Sequence, residues 1–102
     1  MGLSMSKKTI VVQIGNSDDS LPQKKWSRFI KNIAAKMREY TEMHFTGFSD
    51  PTEVWQNACW VGNIDSKMID GFKEELADIA EKYEQDSIAV TVGKTEFVQG
   101  IE

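Results

Sequence analysis

A chain of 102 residues with a net charge of −4, 40% hydrophobic and 27% charged residues, has room for one folded domain and is too apolar for a disordered one. The acidic balance argues against wholesale binding to phosphate backbones, whose affinity comes from lysine and arginine displacing counterions. One cysteine excludes an internal disulfide and fits a reducing compartment, and the uncharged run Val54 to Ile64 is too short to span a bilayer.

"MGLSM" reads as an expression remnant or a frayed end, so residues 1–7 are set outside the fold, with a single domain over 8–98 and a tail over 99–102. The apolar run after Lys7 and Lys8 ends at "QIGN" and lacks the core and cleavage site of a signal peptide. The chain therefore reads as cytoplasmic. "KKTIVVQIG" alternates Ile10, Val12 and Ile14 with Val11 and Gln13, the pattern of a first strand. "NSDDSLPQ" supplies turn formers, N-cap candidates and a proline suited to the start of a helix. In that helix Trp26, Phe29, Ile30, Ile33, Met37 and Tyr40 fall at the spacing of one buried stripe.

Two strand-like stretches flank "SDPT", where Asp50 and Pro51 suit a β-turn, so a hairpin is expected. Asp65 or Ser66 can cap a second helix whose stripe is Met68 or Ile69, Phe72, Leu76, Ile79, Ala80 and Tyr83. Gly71 weakens that helix by about 1 kcal/mol relative to alanine, which suggests close packing there. In the closing strand Ile88, Val90 and Val92 alternate with Ala89 and Thr91, and "VGKT" is expected to bend or bulge it before Phe97 and Val98.

The order β-α-β-β-α-β resembles the split β-α-β arrangement of ferredoxin-like proteins. Right-handed crossovers would put both helices on one face of a four-stranded antiparallel sheet. The resemblance implies an α+β sandwich and no particular activity, because that fold carries many functions.

A tight turn over Asp50 to Glu53 pairs Phe45 with Ala58, Met43 with Trp60, His44 with Cys59, Thr46 with Asn57 and Phe48 with Trp55. Met43, Phe45, Ala58 and Trp60 then lie under the helices. The opposite face carries His44, Thr46, Phe48, Trp55, Asn57, Cys59 and Val61, joined by Val11, Gln13, Ala89 and Thr91. An aromatic pair on a sheet face without helices marks an interface, and a homodimer or another protein partner would cover it. This reading makes the chain a small non-enzymatic interaction protein. The alternative is a small enzyme or ligand-binding protein in which His44 draws the proton from the Cys59 thiol, with Asn57 the one nearby group to orient the imidazole.

Other features have plainer explanations. "GNSDDS" lacks the lysine of a phosphate-binding loop, its paired aspartates would repel phosphate, and no cluster has metal-ligand spacing, so neither a cofactor nor a metal is expected. Lys24, Lys25, Arg28, Lys31, Lys36 and Arg38 on the first helix, and Asp70, Glu74, Asp78 and Glu81 on the second, read as solvated faces whose fields compensate. Strand one offers Val11 and Gln13 where an RNA-binding sheet of this type needs aromatics, so nucleic acid is not the expected partner.

Overall fold

The computed structural model describes residues 7–16, 20–50 and 55–100. Strand β1 (Lys7–Asn16) leads to helix α1 (Gln23–Tyr40), then to β2 (Glu42–Phe48) and β3 (Gln56–Asp65). A 3-10 turn over Ser66–Met68 opens helix α2 (Ile69–Lys82), and β4 (Ala89–Gly93) follows. The four strands form one antiparallel sheet in the order β2-β3-β1-β4. Both helices pack on one face, the ferredoxin-like arrangement expected from the element order. The expected turn residues Pro51, Thr52 and Glu53, and Ser17, Asp18 and Asp19 of the "GNSDDS" stretch, lie outside the described residues.

Alternation along β1 and β3 decides which face meets the helices. Ile10, Val12 and Ile14 stand beside Gly62, Trp60 and Ala58, and all six are buried. The stripes of α1 and α2 close over them with Trp26, Phe29, Ile33 and Met37 from one helix and Phe72, Leu76 and Ile79 from the other. Phe29 stacks on Tyr83 at 5.2 Å between ring centroids, and the Tyr83 hydroxyl accepts a 2.8 Å hydrogen bond from Asn32 Nδ2. On the outer surface Lys36 of α1 reaches Glu75 of α2 at 2.7 Å, so the two helices' opposite charges meet directly at that point. That bond, ahead of the one to Glu39, holds the Lys36 ammonium above its ordinary pKa. Asp70, Glu74, Asp78 and Glu81 are exposed, as a solvated face requires.

Local details depart from the sequence pattern at three places. Among the described residues no side chain caps α1, whose first turn is entered through Pro22. The chain just ahead of the helix is held by Asn16, fully buried at the end of β1: its Oδ1 accepts from the Leu21 N–H at 2.8 Å, and its Nδ2 donates to the Leu21 carbonyl at 3.0 Å and to Gln56 Oε1 at 3.2 Å. Gly71 is exposed and a Cβ there would come no nearer than 4.0 Å to Tyr40, so it answers no close packing. Finally β4 stops at Gly93, and residues 94–100 continue without regular structure, fully open to solvent. Asp65 does cap, its carboxylate accepting from the Lys67 N–H at 3.2 Å to start the 3-10 turn.

Candidate functional site: the open sheet face

The face without helices is built from the odd-numbered positions of β1, β3 and β4 together with Phe45 and Gly47 of β2. In the register Val11 lies between Val61 and Thr91, and Gln13 between Cys59 and Ala89. Phe45 lies beside Val61, and Gly47 beside Cys59. Asn57, Cys59 and Val61 thus share one face with Val11, Gln13, Ala89 and Thr91, as alternation implied.

Strand β2 does not follow the expected register. Phe48 pairs with Ala58, Thr46 with Trp60 and Phe45 with Val61, a three-residue shift from the tight-turn pairing. The loop is longer than the four-residue turn assumed, and Ser49 still holds Asn57 on the way out, its N–H reaching the Asn57 carbonyl at 2.9 Å and its Oγ accepting from the Asn57 N–H at 3.0 Å. An odd shift turns every β2 side chain over. Phe45, expected in the core, stands on the open face and is 54% exposed, while Phe48 moves to the helix side at the end of the edge strand, 61% exposed. A bulge at His44 between Met43 and Phe45 reverses the alternation again, so Met43 returns to the helix side opposite Gly62 and packs against the core. Trp55, just ahead of β3, is 48% exposed.

The pairing of His44 with Cys59 is therefore absent. Cys59 is half-buried between Gln13 and Gly47, and exposed His44 sits three residues farther along β2, roughly 10 Å by strand rise. Among the described residues, those around the thiol on this face are the Gln13 and Asn57 amides, Gly47 and apolar side chains.

Gly47 is the residue the sequence reading passed over. A Cβ at this position would lie 2.9 Å from the Phe45 ring, so the ring folds back along its own strand over the glycine and forms one wall of a shallow cavity of about 350 Å³. Gln13, Asn57, Cys59 and Ser49 form much of the rest. The signal was present, since glycine inside a strand marks a bulge or a close approach, and β2 has both.

The face is also uncharged over most of its area. Across Thr9, Val11, Gln13 and Gly15, Asn57, Cys59, Val61 and Asn63, Phe45 and Gly47, and Ala89, Thr91 and Gly93 there is no lysine, arginine, aspartate or glutamate. Charge is confined to one end, where Asp65 stands opposite Lys7, Lys7 bridges to Glu42 at 2.7 Å and that hydrogen bond holds the Glu42 carboxyl below its ordinary pKa. Among the described residues no group of three or more histidine, cysteine, aspartate or glutamate side chains could hold a metal ion, and no helix is long and apolar enough to cross a membrane.

Neither a protein-family model nor a curated protein matches the sequence. Among solved structures, the crystal structure of an unknown protein from Galdieria sulphuraria is similar over 89% of this chain and 50% of its own, with a TM-score of 0.50 and 6% sequence identity. This chain thus spans half the length of that protein, and the similarity is one of fold alone.

Proposed function

We propose that the protein is a non-enzymatic interaction module of the cytoplasm whose open sheet face is its working surface, covered by a second copy of the chain. The observation that carries this is the uncharged stretch of four strands with Val61, Val11 and Cys59 at its centre and Phe45 beside them on β2. Antiparallel sheets with one free face usually place polar and charged side chains on it, and a face uncharged over most of its area is a poor docking surface for phosphate. It suits self-association, because two copies meeting about a two-fold axis bring identical surfaces together without like-charge repulsion. Asn57, Asn63, Gln13 and Thr91 supply amides and a hydroxyl that can hydrogen-bond across such a contact, as interfaces of moderate polarity do. The cysteine enzyme is the weaker reading, since the imidazole it requires stands away from the thiol.

Cys59 is a built-in reporter of cover on this face. Its labelling by iodoacetamide should slow as protein concentration rises, and Val61→Glu should restore the rate seen in dilute solution. A labelling rate independent of concentration would overturn the proposal.

A further inference from the structure

The two edges of the sheet are unlike. Edge β2 is broken by the bulge at His44 and carries Glu42 and His44, devices that discourage a further strand from adding. Edge β4 has none of them. Ala89-Val90-Thr91-Val92-Gly93 is regular and uncharged, pairs with β1 on one side, and is the last strand of the sheet on the other, with every residue but Val90 exposed. Such an edge presents free N–H and C=O groups as a template.

The segment after β4 is the second observation. Residues 94–100 are exposed throughout, and Phe97 and Val98 are 86% and 92% exposed, so two large apolar side chains stand almost wholly in water. The Thr9 and Thr95 hydroxyls hydrogen-bond to each other, which holds the start of this arm in line with β4. The third is a groove of about 650 Å³ between α2 and the entry to β4, with apolar walls from Leu76, Ala77, Ala80, Ile88 and Val90. None of residues 94–100 lines this groove. The groove opens where β4 begins and the arm leaves from where it ends, roughly 15 Å away.

From these we infer that β4 pairs antiparallel with β4 of a second copy, each arm lying in the other's groove. An antiparallel pair about a two-fold axis sets the exit of each strand beside the entry of its mate, so the geometry delivers arm to groove reciprocally. Once the arm is drawn into the sheet, alternation continued from β4 turns Val98 toward the helix side, where the groove is, and sets Phe97 at the border of the open face. Lys94 and Glu96 share the side of Val98 and meet a rim that carries both signs, Glu81 and Asp86 against Lys73. Strand, arm and groove together come to roughly 20 residues a side, the number typical of a stable interface. This edge contact is separate from the open-face contact, and its two-fold axis is perpendicular to the sheet, so both can operate in one closed assembly.

The test uses Val61→Glu protein, in which the open face is disabled. Sedimentation velocity should show it dimerising as concentration rises. Adding Phe97→Asp with Val98→Asp should weaken that association by roughly tenfold or more, and so should Ala77→Arg, which fills the groove from an exposed helix position. Circular dichroism should show both variants folded as before. In hydrogen exchange the outward-pointing amides of Ala89–Gly93 should become slower with concentration, a readout the open face does not move. A Val61→Glu protein that stays monomeric, an association indifferent to both sets of substitutions, or β4 amides whose exchange ignores concentration would each overturn the inference.

Discussion

Asn16 and Gly62 show how single positions hold this fold in ways that composition does not announce. Asn16 has no access to solvent and satisfies both main-chain groups of Leu21. Asn16→Ala would leave those groups buried and unpaired, and we expect a loss of about 2–3 kcal/mol in a urea titration, since each orphaned polar group costs about 1–3. Gly62 is where the α1–β2 connection crosses β3. A Cβ there would lie 2.7 Å from Thr41 Oγ1 and 2.9 Å from the Glu42 carbonyl oxygen, so Gly62→Ala should destabilise by about 1–3 kcal/mol in the same assay. Gly71 has no such neighbour, and Gly71→Ala should stabilise by roughly 0.5–1 kcal/mol through helix propensity alone. Asn16 was legible only as one more turn former because its three partners are fixed by tertiary placement. The need for glycine at 62 likewise belongs to the packing of a connection that no local pattern encodes.

At the scale of elements, the strands and helices that were legible are those whose burial follows a strict period. β1, β3, α1 and α2 bury the side chains their spacing marked, and so the sheet and its helix-covered face could be read in advance. β2 could not, because "FTGF" does not alternate and its register depends on the length of the following loop. The cost fell on the candidate site: Asn57, Cys59 and Val61 were placed together, Phe45 was missed, Phe48 was put on the wrong face and His44 was paired with a cysteine it does not reach. The basic face of α1 yields a separate expectation. Lys24, Lys25 and Arg28 are exposed, so reversing their charges should shift folding stability by no more than about 0.5 kcal/mol, and wild-type protein should show no salt-dependent binding to single-stranded RNA in a fluorescence titration. The Lys7–Glu42 bridge sets the sign of a pH effect. Because its hydrogen bond lowers the Glu42 pKa in the folded protein, its contribution is present above the ordinary glutamate range and is lost as pH falls through the lowered value. Both groups are exposed, so the effect should be small, should vanish at high salt and should be absent in Glu42→Gln.

The whole molecule is a sandwich with one face sealed by helices and the other uncharged over most of its area, and that asymmetry is the basis of the proposed self-association. Two contacts are proposed, face to face and edge to edge, and removing one isolates the other. Sedimentation of the Phe97→Asp, Val98→Asp protein, with and without Val61→Glu, is the most direct test of the open face as the working surface. The arm-disabled protein should still form a dimer as its concentration rises, and Val61→Glu on that background should return it to a monomer while leaving its circular dichroism unchanged. An arm-disabled protein that is monomeric at every concentration, or a dimer that Val61→Glu leaves intact, would contradict the account.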